Sequence, residues 1–204
     1  MELDDFYKNK EVLVTGGCGS IGREIVKHLV NLNVKKVRVF DQNEYGHHKL
    51  MNELKKYSNV DYINGNIRDY DSLKAAIRGS DIAFHTAALK HLPLCETDPI
   101  EAVKTNVIGT HNLIELAKEY NLDKVVFIST DKTVYPTSTM AATKLLCEKL
   151  VLNTRTFNSG TIFSCVRFGN VLASDGSVIP LFIEQIKNNR EITLTDERMT
   201  RFFM

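Results

Sequence analysis

The chain has 204 residues, 43% of them hydrophobic and 25% charged, with a net charge of +1. A chain of that length and composition folds around a core, burying roughly 70% of the surface it exposes when unfolded. Near-neutral charge lacks the basic footprint of a nucleic-acid binder, and no apolar run approaches the roughly 20 residues of a membrane span. The opening Met1-Glu-Leu-Asp-Asp-Phe is acidic and polar, not a signal peptide. Four scattered cysteines, Cys18, Cys95, Cys147 and Cys165, show neither CxxC nor metal-ligand spacing. They read as reduced thiols of a cytoplasmic protein with no metal site.

The first expected strand is Glu11 to Thr15. It runs into Gly16-Gly-Cys-Gly-Ser-Ile-Gly22, which opens a helix from Ser20 to Leu32. Glycines at this spacing let the backbone turn sharply and approach a pyrophosphate, which the helix N-terminus meets with free N–H groups and its positive dipole end. Gly16, Gly19, Ser20, Ile21 and Gly22 are therefore candidate cofactor residues, and the strand before and helix after them are the context such a motif requires. Val37 to Phe40 is the second strand. Asp41 ends it about 20 residues beyond Gly22, the offset at which a carboxylate meets the adenosine ribose. A carboxylate there repels a 2′-phosphate, so NAD is expected ahead of NADP, with NADP possible; a plain turn residue is the alternative. A helix from Glu44 to Tyr57, with Leu50 and Leu54 on one face, leads to a third strand, Val60 to Ile63. The loop Asn66-Ile67-Arg68-Asp69 then falls beside the adenine.

Asp71 to Arg78 reads as a short helix and Asp81 to His85 as the fourth strand. Small residues follow it, Ala87 and Ala88 among them, and let the backbone pass close to a cofactor. Lys90 and His91 come next, as functional residues or as solvated loop. A long helix spans Pro99 to Tyr120. Asn106 and Gly109 in its middle cost helix stability, which implies a packing or functional reason. Val125 to Ile128 is a buried fifth strand that ends abruptly in Ser129, Thr130, Asp131 and Lys132. A helix from about Met140 to Leu152 puts Met140 and Lys144 on one face. Thr161 to Val166 is the sixth strand. Six strands alternating with helices make an α/β fold, a doubly wound parallel sheet of Rossmann type, whose chemistry sits outside the carboxyl ends of its strands. A strand, a solvated loop and a surface helix are the plain alternative for residues 125–144.

These residues resemble a known family. Thr15-Gly-Gly-x-Gly-x-Ile-Gly22, Asn66-Ile-Arg-Asp69 and Asn106 are similar to motifs of the extended short-chain dehydrogenase/reductases. Ala87-Ala-Leu-Lys-His-Leu-Pro93, Glu101-Ala-Val-Lys-Thr-Asn106, Ser129-Thr-Asp-Lys132, Arg167-Phe-Gly-Asn-Val171, Gly176-Ser-Val-Ile-Pro-Leu-Phe182 and Met199-Thr-Arg-Phe-Phe-Met204 resemble the nucleotide-sugar 4,6-dehydratases of polysaccharide biosynthesis. The resemblance implies a UDP-N-acetylglucosamine 4,6-dehydratase of the C5-inverting kind, working as a homo-oligomer. It implies oxidation at sugar C4, loss of water across C5 and C6, and reduction at C6, with NAD regenerated in the site. It makes Asp131 the acid at C6 and Lys132 the base at C5, a lysine whose basicity needs burial against a cationic neighbour. Lys144 is placed at the nicotinamide ribose, and Lys90, His91, Asn170, Ser177, Thr200 and Arg201 on the substrate side.

Two features depart from the superfamily pattern. The usual tyrosine of Tyr-x-x-x-Lys is Met140, whose thioether cannot transfer a proton. That leaves Thr130, Lys144 or a water relay to take the C4 proton. The chain also stops in mid-motif, so residues 1–166 are expected to form the cofactor domain and 167–204 the start of a truncated substrate domain. A 4-epimerase of the same superfamily and a non-catalytic NAD(P)-sensing protein remain the alternatives.

Overall fold

The computed structural model describes residues 3–154, 160–174, 176–194 and 196–203; Met1, Glu2 and Met204, which the sequence reading used, lie outside the described residues. After a short helix α1 (Leu3–Tyr7), six strands form the frame: β1 (Glu11–Thr15), β2 (Lys36–Asp41), β3 (Val60–Asn64), β4 (Ile82–His85), β5 (Lys124–Thr130) and β6 (Ile162–Phe168). They make one sheet in the order β3-β2-β1-β4-β5-β6, with every pairing parallel. This is the doubly wound order, and its strand order reverses between β1 and β4.

Strand β1 shows why the apolar runs are continuous. Val12 and Val14 enter one core with Val26, Val37, Val39 and Leu50, while Leu13 enters the other with Phe40, Leu73, Leu116 and Phe127. All three are fully buried because helices cover both faces of a parallel sheet. Each such side chain contributes about 1.5–3 kcal/mol by leaving water.

Helices α2 (Ser20–Leu29), α3 (Glu44–Glu53), α4 (Tyr70–Ile77), α5 (Leu92–Thr97), α6 (Pro99–Ala102), α7 (Gly109–Glu119), α8 (Thr139–Asn153) and α9 (Val178–Lys187) complete the described elements. Asn43 caps α3 by accepting the Gly46 N–H, and Asp69 caps α4 by accepting those of Asp71 and Ser72. Ser138 caps α8 through the Ala141 N–H.

Four expectations are corrected. The helix expected from Ser20 to Leu32 ends at Leu29. The helix expected to reach Tyr57 ends at Glu53, although Leu50 and Leu54 are buried as the pattern requires. The sixth strand continues to Phe168, because it pairs with β5 as far as Thr130. The expected long helix is not uniformly α-helical: Val103–Ile108, between α6 and α7, forms a π-helical turn. Asn106 explains it. Its Oδ1 accepts the Leu89 N–H at 2.7 Å, and its Nδ2 donates to the Leu89 carbonyl and to Thr143 Oγ1. The wider turn aims this amide out of the helix at the loop after β4, in keeping with the functional placing of such turns. Gly109 has a packing reason, since a Cβ there would lie 2.7 Å from Ile67.

Residues beyond β6 are built differently. Helix α9 buries no residue, and Val178, Leu181, Ile183 and Ile186 are exposed.

Candidate functional site

The glycine loop joins β1 to α2 at the switch point. Gly16 has φ +68°, and a Cβ on it would sit 2.5 Å from the Ala87 nitrogen. Only glycine permits both the turn and the passage of the Thr86-Ala87 backbone. A Cβ on Gly22 would strike the Gly16 carbonyl, so that glycine seats α2 against the loop. A Cβ on Gly19 would meet only the Gly16 oxygen, at 3.3 Å, and no side chain caps α2 from that position. Ser20, Ile21 and Gly22 thus open a helix whose end is left without a side-chain cap. The cradle fits a pyrophosphate.

Asp41 stands beside it. One carboxylate oxygen accepts the Cys18 N–H of the loop and the other the Asn43 N–H, each at 3.0 Å. Asn66 donates to Gln42 Oε1, so the loop at residues 66–69 closes on the residue after Asp41. The Ile67 side chain is buried, packing where Gly109 leaves room. Ala87 and Ala88 follow β4 at the other wall. Lys90 and His91 are exposed, and the His91 ring lies against Gly176 ahead of α9.

The polar residues ending β5 form the second group. Asp131–Thr133 makes a 3-10 turn. Thr130 Oγ1 donates to Asp131 Oδ1 at 3.0 Å, and Lys132 Nζ donates to the same oxygen at 3.1 Å and to Asn170 Oδ1 at 2.9 Å. Burial alone would raise the Asp131 pKa, but the bonds from Lys132 and Thr130 outweigh it and hold the carboxyl below its usual range. The expected burial of Lys132 against a cation is not found. Its side chain is 37% exposed and its charged neighbour is a carboxylate.

Lys144 is the buried lysine. Its Nζ donates to the Ile128 carbonyl and lies 4.1 Å from the centre of the Phe127 ring. Burial pushes its pKa down to about 8, against the opposing pull of Cys147, Cys165 and Glu148. Met140, one turn earlier, is buried with Cys95 and Ala102 against Leu89. Beyond β6, Asn170 reaches Lys132, its N–H donates to the Phe202 carbonyl, and it bridges to Phe203. The Ser177 hydroxyl is buried without a partner, while Thr200 and Arg201 are exposed, the guanidinium donating to the Thr200 carbonyl.

Two groups escaped the sequence reading. His85 links the ends of β1 and β4 to α7. Thr110 spends its hydroxyl proton on the Asn106 carbonyl, so it accepts from His85 Nε2–H, and Nδ1 then accepts from Thr15. Burial, aided by Lys144, pushes the His85 pKa down to about 3, so this ring stays neutral. The other group is Glu148, which accepts from Ser129, Thr133 and a two-pronged Arg167. The Arg167 fork, ahead of the hydroxyls, holds its pKa down to about 2. A glutamate on a helix reads as solvated; the only signal was its spacing of four from Lys144 on the Met140 face.

A parallel sheet of this order with a glycine cradle at its switch point is the fold of the extended short-chain dehydrogenase/reductases. Within that class the chain belongs to the polysaccharide biosynthesis protein family, which matches residues 12–204. It is 53% identical over 205 residues to an uncharacterized membrane protein of Methanocaldococcus jannaschii, covering all of this chain and 61% of that protein. It is 41% identical over 204 residues to the UDP-glucose 4-epimerase of Rickettsia bellii, covering 97% and 60%. The crystal structure of Pen from Bacillus thuringiensis matches with a TM-score of 0.94 at 45% identity, covering 98% of this chain and 64% of Pen. A double mutant of DesIV, a dTDP-glucose 4,6-dehydratase from Streptomyces venezuelae, solved with NAD bound, matches with a TM-score of 0.83 at 25% identity, covering 94% and 67%. The chain thus spans about 60% of the length of these curated relatives. Among the described residues, no helix is long and apolar enough to cross a membrane, and no group of three or more His, Cys, Asp or Glu could hold a metal.

Proposed function

We propose that the chain carries the cofactor-binding and acid–base part of an NAD-dependent 4,6-dehydratase acting on UDP-N-acetylglucosamine. The observation that carries this reading is the Asp131–Lys132 contact at the carboxyl end of β5, with Asn170 on the same ammonium. An acid and a base that share one hydrogen bond suit the removal of water across two adjacent carbons.

Gly16 to Gly22 would hold the pyrophosphate, Asp41 the adenosine ribose, and Asn66 with Ile67 the adenine. Ala87, Ala88 and Lys90 would line the nicotinamide half, with Asn106 fixing their loop. Bound NAD supplies a hydride acceptor for sugar C4 and a hydride donor for C6. Met140 has no exchangeable proton, so Thr130 takes the C4 hydroxyl proton and hands its own to Asp131 Oδ1 along the existing 3.0 Å bond. Protonated Asp131 then donates to the departing C6 hydroxyl, so the proton lost at C4 leaves in the water. Neutralising Asp131 also removes the charge paired with Lys132, whose amine in its neutral form would take the proton on C5 and return one to C5 as C6 is reduced. Residues 167–203 would begin the substrate domain, with Asn170, Ser177, Thr200, Arg201 and His91 facing the nucleotide-sugar.

A second reading is a UDP-sugar 4-epimerase, favoured by the name of the Rickettsia relative. Mass spectrometry of UDP-N-acetylglucosamine incubated with the protein decides between them. The dehydratase product is lighter by one water. An isomer of unchanged mass with an axial 4-hydroxyl means epimerase, and no product overturns both in favour of an NAD-sensing role.

A further inference from the structure

We infer that Glu148 is a positioning residue: one of its oxygens holds the residues on both sides of Thr130-Asp131-Lys132, and its carboxylate ties that triplet to the strand delivering Asn170. The inference rests on the proposed role of the triplet. Oε1 accepts from Ser129 Oγ, immediately before it, and from Thr133 Oγ1, immediately after it, whose proton is shared with the Thr130 carbonyl inside the triplet. The same oxygen accepts Arg167 Nε at 2.9 Å, and Oε2 accepts Arg167 Nη2 at 2.7 Å. Arg167 pairs with Ser129 across the sheet, three residues before Asn170, which meets the Lys132 ammonium.

Stability does not call for this arrangement. The Glu148 side chain is 5% exposed while its partner Arg167 is 47% exposed, so the carboxylate gives up its water for a partner that keeps much of its own, an exchange that commonly costs as much as the pairing returns. An apolar residue would pack at this point of α8 without that cost. Only a carboxylate in this place can accept from β5, the turn and β6 together, because the donors converge on it from three elements. The gain is geometric. Thr130, Asp131 and Lys132 must hold their spacing to pass protons between them, and an error of one ångström there costs about a hundredfold in rate.

The test compares Glu148→Gln, and a Ser129→Ala/Thr133→Val double variant, with the wild-type chain. The amide keeps the shape of the carboxylate but cannot accept the Arg167 fork. Amide hydrogen exchange is read first, since it requires no turnover. We expect both variants to exchange faster at residues 129–134, and Glu148→Gln also at 167–170, with NAD affinity near wild type and the Glu148→Gln melting temperature lowered, since removing the carboxylate leaves Arg167 unpaired. Turnover of UDP-N-acetylglucosamine should fall about a hundredfold in kcat, with KM changed less than about threefold. Unchanged exchange at those residues overturns the inference, and so does a kcat loss that only tracks lost thermal stability. A wild-type chain that makes no dehydrated sugar overturns the proposed function, while the exchange data still decide whether Glu148 holds the turn.

Discussion

Lys132 sits on the turn after β5, 37% exposed, with its ammonium against a carboxylate and an amide oxygen. Lys144, on the inner face of α8, is 7% exposed, with its nitrogen on a backbone carbonyl and over an aromatic ring. The two regions thus manage the same functional group in opposite ways. The turn leaves its lysine partly exposed and paired with a carboxylate, and the helix face buries its lysine and shifts it down to about 8. Reading lysines by residue type alone missed this division. Burial was expected at Lys132, and it is found at Lys144.

The largest effect should come from breaking the pair on the turn. Lys132→Ala removes both the proposed base and the partner of Asp131, and should lower product formation roughly a thousandfold, within the usual range for a positioned acid or base. In heavy water the wild-type product should carry deuterium at C5 with inverted configuration, because a lysine exchanges the proton it takes. If NMR shows C5 exchange at a near-normal rate in Lys132→Ala, the base lies elsewhere.

The sheet was legible because its strands are buried on both faces and so read as continuous apolar runs, as Val12-Leu13-Val14 illustrates. The glycine loop was legible because backbone geometry dictates glycine at Gly16 and Gly22. The π-helical turn was not, since it depends on which distant backbone Asn106 meets, at Leu89. Glu148 was hidden for a related reason. Its partners come from three elements, and spacing along α8 cannot reveal donors on β5 and β6. Helix α9 was read only as a motif, since its apolar residues face outward and make no core pattern.

The helix face can be tested through stability. Lys144 has a folded pKa of about 8 against an ordinary value of 10.5. Between those values the unfolded chain binds more protons than the folded one, so this group makes stability rise with pH across the window. The rise should be about 2 kcal/mol between pH 8 and pH 10 and should disappear in Lys144→Met, read as the difference between the urea curves of each protein at the two pH values. Equal pH dependence in both proteins would mean that Lys144 is not desolvated.

A smaller effect is expected at the cradle, which belongs to neither region. Asp41 should favour NAD over NADP by about tenfold, or ~1.4 kcal/mol, by opposing the 2′-phosphate. Asp41→Asn should narrow that gap in calorimetric titrations, although the variant also weakens the hold on the Cys18 N–H. Wild-type protein binding NADP as tightly as NAD rules the role out.

The smallest effect belongs to Met140, whose thioether has no exchangeable proton. Its side chain is 7% exposed and packs with Cys95 and Ala102 against Leu89, the residue whose backbone Asn106 holds. Leucine has nearly the same volume and polarity, so Met140→Leu should cost less than about 1.5 kcal/mol of stability. Turnover should stay within about threefold, because the proposed proton path runs through Thr130 and Asp131 and bypasses α8. A larger effect would redraw the comparison. A fall in kcat beyond about a hundredfold, roughly 2.7 kcal/mol, with an unchanged melting temperature would place the thioether at the reacting atoms. The helix face would then contribute to the chemistry through more than its buried lysine, and the C4 proton would need a route other than Thr130.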